Sequence, residues 1–359
     1  MWSAYEGKDT TYVGGLHDGA VKRKEEGAKL GGFINGENPL AAAEFEFDMV
    51  FGCQTRITNL FLTQLADGIM GMCLKDTSIW KQMFEQDIIK HPAFALCFAR
   101  GDDAAKDGTM AGTLTLGGID TKLHEEEVVY AKGFKTKGVM HGVRIRKVHI
   151  MKSGVYDSKS ANTTNTITAQ ISEDQLNKGS VIVDSGTTDT YFTKTLKAPF
   201  LAAFKELVGF DYNTRGMKLT DTQVQSLPTI LVQLVGIPQS SEPGTPGLAH
   251  KIDTEHPDDI LIAIPPAHYV EYDSDNEKYV GRFSVDEGRG SVIGANTMRG
   301  HDVFFDIPEN DRIGFAVSDC DYRNLAGLEL ENEIDEHNLN HHEIEEEEES
   351  EEGDDYYEE

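Results

Sequence analysis

Short segments in which apolar and polar residues alternate recur along this chain, separated by Gly, Asp or Asn. A period of two is typical of half-buried β-strands. The strand-like segments are TYVGG (11–15), FEFDMVFGC (45–53), AFALCFA (93–99), GTLTLGG (112–118), HGVRIRKVHI (141–150), SVIVDSG (180–186), DILIAIP (259–265), SVIGAN (291–296) and two runs within 301–318.

Helical patterns are rare in comparison. They occur in residues 76–89 and 194–209. Two short helices among many strands predict an all-β protein rather than alternating strands and helices. Stretches rich in Gly, Pro, Ser or charged residues predict surface loops at 20–44, 157–178 and 236–258.

The charge of the chain argues against some classes of binding partner. The formal net charge is −29, which argues against nucleic acids and anionic membrane surfaces as partners. Residues 329–359 hold 17 acidic residues and no Lys or Arg, which predicts a disordered acidic tail. Histidines in this tail could bind a metal weakly, but a solvated tail is the better interpretation. No apolar run reaches the roughly 18 residues of a membrane-spanning helix.

The cysteines and one short motif bear on the cellular compartment. Cys53, Cys73, Cys97 and Cys320 lack the tight spacing of a zinc site, and they could form one or two disulfides or remain free thiols. The sequence Asn162-Thr163-Thr164 is an N-glycosylation motif that matters only in a secreted protein and can arise by chance. The first 15 residues lack the basic flank and apolar core of a signal peptide.

The segment VIVDSGTTDTYF (181–192) carries the candidate chemistry. Three β-branched residues predict a buried strand that delivers Asp184 to a turn at Ser185-Gly186-Thr187. Glycine lets backbone N–H groups approach the carboxylate, and the hydroxyls offer further donors that keep it ionised. A simple Asx turn at a strand end is the structural alternative.

This segment resembles the second active-site loop of the pepsin-like aspartic proteases. In chain order, ADGIMGM (66–72), GTLTLGGID (112–120) and SVIGANTMRGHDVFFDIPENDRIGFAVSDC (291–320) resemble further motifs of that family. The resemblance covers residues 1 to about 321. FGCQ (51–54) and ALCF (95–98) look more like plasmepsin V and plant-type members than like gastric pepsin.

The resemblance implies a fold, an activity and residue roles. We expect a bilobal all-β fold and an endopeptidase that acts on peptide or protein substrates. We also expect it to be a monomer in its full-length form and to lie in the secretory pathway, that is, extracellular, vacuolar or endomembrane lumen. The implied roles are catalysis by Asp184, support by Ser185 (tying the two active-site loops together), Gly186 and Thr187, and substrate contact by Thr188 and Tyr191.

The family uses two aspartates, and the second is not found. An internal repeat matches Gly71 of the first lobe with Gly294 of the second, yet no Asp-(Ser/Thr)-Gly motif precedes Gly71. Asp9-Thr10-Thr11 lacks the glycine, and we interpret it as the end of the hairpin that covers the cleft. Tyr5 is the nearest aromatic residue to the family's flap tyrosine but is not a safe substitute for it.

Three explanations follow. We favour an N-terminally truncated protease in which residues 1–134 are the remainder of the first lobe, starting within the flap hairpin. Residues 135–326 are then the second lobe, and 327–359 the acidic tail. A naturally inactive, peptide-binding homologue is the second explanation, and a dimer that pools two copies of Asp184 is the third. Under each of these three explanations, we expect the chain alone to be inactive unless it dimerises.

No other chemistry is indicated. The sequence holds no nucleotide-binding or P-loop motif and nothing that suggests a metal, nucleotide or flavin cofactor. We expect Asp302 and Asp306 to be surface or turn residues, since no glycine turn follows them. We expect each of the scattered histidines to be a surface or packing residue, namely His17, His91, His141, His149 and His301.

Overall fold

The computed structural model describes residues 3–13, 46–56, 68–99, 112–152, 160–238, 245–318 and 320. The strands in these ranges are β1 (Ser3–Tyr12), β2 (Glu46–Arg56), β3 (Phe94–Phe98), β4 (Gly112–Leu116), β5 (Val129–Lys132), β6 (Phe134–Lys135), β7 (His141–Val143), β8 (Ile145–Met151), β9 (Thr166–Thr168), β10 (Val181–Val183), β11 (Thr190–Thr193), β12 (Thr229–Leu234), β13 (Ile260–Ile264), β14 (Val270–Asp273), β15 (Lys278–Gly281), β16 (Phe283–Glu287), β17 (Ser291–Ile293), β18 (His301–Asp306) and β19 (Arg312–Val317).

The helices of the described ranges are short. They are α1 (Ile79–Glu85), α2 (Glu173–Leu176), α3 (Lys197–Val208), α4 (Asp221–Gln225), α5 (Pro266–Tyr269), α6 (Ala295–Met298) and α7 (Ile307–Asn310). Single 3₁₀ turns occur at Thr121–Leu123, Lys194–Leu196 and Ala249–Lys251. The prediction of an all-β protein with few short helices is therefore confirmed.

The long hairpin of β1 and β2 is held by glutamine side chains of α1 and its C-cap. Gln82 accepts a hydrogen bond from Val50 N at 2.7 Å and donates to Val50 O at 3.0 Å. Gln86 makes the same pair of bonds to the backbone of Asp48, at 2.9 and 2.8 Å. Because residues four apart on a helix share a face, the two amides match alternate residues of the strand. They satisfy backbone groups that β2 would otherwise leave unpaired.

A five-stranded antiparallel sheet joins distant parts of the chain in the order β4-β3-β18-β19-β5. β3 pairs with β18, so residues near 95 and near 304 lie side by side. A disulfide between Cys97 and Cys320 ties the same region together, which settles the cysteine pairing that the sequence left open. The predicted lobe boundary at residue 134 stays a prediction, and this sheet contains strands from both sides of it.

The remaining sheets enclose the main core. One has the order β16-β11-β17-β10-β7-β6, another the order β13-β12-β8-β9, and β14 pairs with β15 alone. Every residue of β12 is buried, as is every residue of β13. Phe200 and Phe204 of α3 pack with Tyr212 and Phe283 beneath the six-stranded sheet. This core supports the strands that lead into Asp184.

Several predicted boundaries differ from the observed ones. The predicted helix at 76–89 is shorter, ending at Glu85. The predicted loop at 157–178 contains the strand β9 and the helix α2 in its described part. The predicted loop at 20–44 and the acidic tail lie outside the described residues.

Candidate active site

Asp184 stands at the end of a buried central strand. β10 runs parallel to β17 and antiparallel to β7, and Val181 and Val183 are 1% and 2% exposed. The backbone N–H of Asp184 still donates to Ile293 O at 3.0 Å, continuing the β10–β17 ladder by one residue. The chain turns directly after Asp184. The pairing of β10 with β17 therefore fixes the backbone position from which the Asp184 carboxylate extends.

Two donors of the following turn hold the Asp184 carboxylate. Gly186 N donates to Oδ1 at 3.0 Å, and Thr187 Oγ1 donates to Oδ2 at 2.7 Å. Thr187 N also donates to the backbone oxygen of Asp184 at 3.2 Å. Each carboxylate oxygen thus has its own donor, and the two bonds fix the orientation of the carboxylate. Ser185 is half-buried, and its expected role in joining two active-site loops stays a prediction.

The Asp184 turn packs closely against Gly294, the glycine that follows β17. Ala295 N donates to Thr187 O at 2.8 Å, and Asn296 N donates to Thr188 O at 3.1 Å. A Cβ added to Gly294 would stand 2.2 Å from the carbonyl oxygen of Asp189. Only glycine allows this approach, because the clash would be with backbone atoms that cannot rotate away.

A buried hydroxyl network beneath the turn was not predicted from the sequence. Thr190 Oγ1 donates to Asn296 Oδ1 at 2.7 Å and accepts from Gly294 N at 3.1 Å. Thr297 Oγ1 lies 2.5 Å from the same hydroxyl. Thr190 and Thr297 are fully buried, and the network locks the end of β17 to the start of β11. The available signal was the run of polar residues 187–190, which directly precedes the aromatic pair Tyr191-Phe192.

The residues expected to contact substrate lie beside a charged group. Thr188 is exposed, and Tyr191 is half-buried in β11. Burial raises the pKa of Tyr191, and the charge of Asp189 acts in the same direction. Burial also raises the pKa of Asp189, although the Arg282 guanidinium, 3.6 Å away, opposes the shift. Arg282 is shared with Glu271, so its positive charge is already compensated.

The first-lobe counterpart of this arrangement lacks a packed turn among the described residues. Gly71 is the match of Gly294, but a Cβ added to Gly71 would meet no described atom within 4 Å. The preceding Ile69 and Met70 are 63% and 51% exposed. In the described ranges, no turn packs on this segment in the way that residues 184–188 pack on β17.

The expectation that Asp302 and Asp306 are surface or turn residues is wrong. Asp302 is fully buried in β18 and pairs with the buried His124 at 2.9 Å. Asp306 is 2% exposed and accepts from Arg312 Nε and Asn310 Nδ2, both at 2.7 Å. Hydrogen-bond partners make the burial of these carboxylates tolerable. Both acids belong to β18 of the five-stranded sheet, whereas Asp184 follows β10 of the six-stranded sheet.

Asp9 and Tyr5 belong to the hairpin. Asp9 lies within β1 opposite Met49 rather than at the end of the hairpin, which corrects the sequence interpretation. Tyr5 is 62% exposed and lies opposite Cys53. A hydrogen bond with the Cys53 thiol raises the pKa of Tyr5. Its relation to the family's flap tyrosine stays a prediction.

One group of side chains in the described residues has the spacing of a metal site, namely Asp253, Glu255 and His256. Lys147 Nζ lies 2.7 Å from Asp253 Oδ2, and Gln233 Nε2 donates to the same oxygen at 2.9 Å. Burial opposes ionisation, but the bonds from Lys147, Gln233 and His256 hold the pKa of Asp253 well below its usual range. The protein's own cation therefore occupies the place that a metal would take.

Comparison with known proteins assigns the family. A model of the eukaryotic aspartyl proteases matches residues 44–318, which span β2, both apolar-glycine segments and the Asp184 turn. The chain therefore belongs to the eukaryotic aspartyl protease family, whose members have the pepsin-like fold. The closer likeness to plasmepsin V and plant-type members stays a prediction. No curated protein matches the chain at significant similarity.

The same family membership bears on the compartment. Proteins of this family are generally secreted or vacuolar, in line with the disulfide between Cys97 and Cys320. Among the described helices, none has the length and apolar character needed to cross a membrane.

Proposed function

We propose that this chain supplies one of the two catalytic carboxylates of an aspartic endopeptidase. The main observation in support is the Asp184 carboxylate, which accepts a hydrogen bond from Gly186 N on one oxygen and from Thr187 Oγ1 on the other. A carboxylate fixed in this way is suited to orient a water molecule and to take its proton as that water attacks a peptide carbonyl. Peptides or proteins are the substrates, and nucleic acids are not.

The reaction requires a second carboxyl group. One group acts as a base toward the water while the other donates a proton to the scissile carbonyl, so one aspartate cannot fill both roles at once. Aspartic proteases are the standard example of two carboxyl groups that share one proton. Asp184-Ser185-Gly186 is the single Asp-(Ser/Thr)-Gly motif in the sequence. The 359-residue chain by itself is therefore inactive.

We place the second carboxylate on a polypeptide segment that packs against residues 68–71. This placement is supported by Gly71, where an added Cβ would meet no described atom within 4 Å, and by the close packing of the Asp184 turn on Gly294. In the complete two-carboxylate assembly the enzyme is a monomer of the secretory pathway. Thr188 and Tyr191 contact substrate, and Ser185 ties the two active-site loops together.

A peptide-binding homologue without catalysis is the second candidate. It is favoured by the same single Asp-Ser-Gly motif, since a cleft that retains its hydrogen-bonded turn can hold a peptide without cleaving it. This candidate predicts saturable peptide binding that persists in the Asp184→Asn variant, with no cleavage under any condition.

A peptidase assay on the chain alone separates both of these candidates from a dimer that pools two copies of Asp184, and reconstitution with a first-lobe segment separates the two candidates, since only the catalytic one then gains cleavage. The purified chain is incubated with casein and quenched peptides from pH 3 to pH 7, with and without pepstatin. We expect no cleavage by the chain alone. Pepstatin-sensitive cleavage that disappears in Asp184→Asn but not in Asp286→Asn, an exposed residue paired with Lys197, would instead show that two copies pool Asp184. Cleavage that survives Asp184→Asn would overturn the proposed role of this residue.

A further inference from the structure

A polar turn precedes the edge strand of the four-stranded sheet. Residues 162–165 form this turn, and Thr163 and Thr164 are exposed while Ala161 before them is buried. In the described ranges β9 hydrogen-bonds to β8 and to no second strand, so the turn lies at the rim of the sheet.

The hydrogen bonds of this turn identify each atom of the Asn162 amide. Thr164 N and Thr164 Oγ1 both donate to Asn162 Oδ1, at 2.9 and 2.6 Å, and Asn165 N adds a third bond at 3.2 Å. Because backbone N–H groups only donate, the atom that receives them is the amide oxygen. Asn162 Nδ2 therefore points the other way.

The nitrogen is held far less firmly than the oxygen. Asn162 Nδ2 has one long contact, 3.3 Å, to Ser160 O, and this bond is exposed. The hydroxyl of Thr164 is bound to the oxygen of the same amide whose nitrogen makes this longer, exposed bond. This pairing of asparagine with the threonine two positions later is what the N-x-(Ser/Thr) motif requires, and Thr163 between them is not proline.

The disulfide gives independent support for the compartment in which this motif is used. Cys97 and Cys320 are bonded across 223 residues of sequence. Disulfides of this kind form and persist in the endoplasmic reticulum and outside the cell. The same compartment supplies the donor for asparagine-linked glycosylation.

We propose that Asn162 carries an N-linked glycan. The donor class is an oligosaccharide linked to a polyprenyl diphosphate. A C–N bond forms between Asn162 Nδ2 and the anomeric carbon of the sugar, and the C–O bond to the diphosphate breaks. The diphosphate leaves with the electron pair, and one amide proton passes to a base of the transferring enzyme.

The position of the glycan has a consequence for the fold. A sugar chain on Asn162 stands beside β9, which among the described strands pairs with β8 alone and so forms an edge of its sheet. Such edges can pair with strands of other molecules, and bulky polar cover prevents this pairing. The glycan therefore shields the edge of the four-stranded sheet.

The test uses the full chain with a secretion leader fused ahead of Met1, expressed in eukaryotic cells. Chains that resist external protease until the membranes are dissolved have entered the lumen, and these are analysed whether or not they are later secreted. We expect peptide N-glycosidase to shift their mobility by one glycan and to convert Asn162 to aspartate, as read by peptide mass.

Matched variants define the site. The shift is expected to vanish completely in Asn162→Gln and in Thr164→Ala, and to remain in Thr163→Ala, which keeps the motif. It should also remain in Thr164→Ser, which restores a hydroxyl. Lumenal chains with unmodified Asn162, or a shift that persists in Asn162→Gln, would overturn the proposal.

Discussion

The carbonyl oxygen of Asp189 lies so close to Gly294 that a Cβ on this glycine would stand 2.2 Å from it. The Asp184 turn and the end of β17 are thus packed backbone against backbone. Gly71, which matches Gly294 in the internal repeat, has no described atom within 4 Å of the corresponding position. This contrast in the described residues supports the proposal that the Asp184 turn is one half of a two-carboxylate active site.

Substituting the two glycines with alanine should have opposite outcomes. Gly294→Ala forces Asp189 O and Thr187 O, 2.2 and 2.7 Å away, to move, and we expect a loss of about 1–3 kcal/mol or more in the free energy of unfolding. Gly71→Ala in the same chain should change it by less than about 0.5 kcal/mol. Urea unfolding of both variants measures the difference, and equal losses would show that the Gly294 contact does not matter.

Removing the hydroxyl of Thr187 should destabilise the Asp184 turn. Thr187→Val deletes the 2.7 Å bond to Asp184 Oδ2, and bonds to charged groups contribute about 1.5–3 kcal/mol. Thr187→Ser should retain most of this stability. Thr188→Val, at the exposed neighbouring position, serves as the control and should be nearly neutral. Denaturant unfolding at neutral pH gives the comparison, and an equally large effect at Thr188 would contradict the assigned role.

Stability should fall on acidification because of a buried histidine. His141 packs between Phe94 and Phe305 and donates from Nε2 to Met72 O at 2.8 Å. Burial lowers the pKa of His141 to about 4 from its usual value near 6.5. The unfolded chain therefore binds a proton at a higher pH than the folded chain. The contribution is complete above pH 6.5 and is lost as the pH falls toward 4.

The magnitude and the test follow from linkage. A shift of this size corresponds to about 3 kcal/mol at most. Between pH 6.5 and pH 4, His141→Gln should reduce the slope of unfolding free energy against pH by up to the amount that corresponds to the uptake of one proton. His91→Gln, the same substitution at an exposed histidine, serves as the control for the exchange of His for Gln. An unaltered slope in His141→Gln would show that other groups cause the acid sensitivity.

Breaking the disulfide should cost far more than removing either free thiol. The bond between Cys97 and Cys320 closes a segment with a sequence separation of 223 residues, for which chain entropy predicts a contribution of about 5 kcal/mol. Cys97→Ala should lower the melting temperature strongly. Cys53→Ser and Cys73→Ser should have small effects, because these cysteines are free and half-buried. Calorimetry of the three variants under non-reducing conditions gives the ranking, and similar melting temperatures would contradict it.

The sequence predicted the local features of the candidate site better than the long-range ones. The turn at Asp184 was predictable because its strand, acid, glycine and hydroxyls are contiguous. The pairing of Asp302 with His124 joins residues 178 positions apart, so a reading of local motifs placed Asp302 on the surface. The disulfide partners were undetermined for the same reason.

For the fold, too, some elements were predictable from the sequence and others were not. Alternating segments such as FEFDMVFGC predicted β2 closely, because one face of that strand meets solvent. β12 was not among the predicted strands, since all six of its residues are buried and its sequence TILVQL shows no clear alternation. Burial on both faces removes the period that identifies a strand.

The most direct test of the central claim is reconstitution of catalysis. A first-lobe segment from a family member, carrying its own Asp-Thr-Gly loop, is fused ahead of Met1, and cleavage of a quenched peptide is measured. We predict that pepstatin-sensitive cleavage appears, and that it is abolished by Asp184→Asn, by Asn at the added aspartate and by Gly71→Val, which blocks the docking surface. Cleavage that is retained in Asp184→Asn would contradict the account.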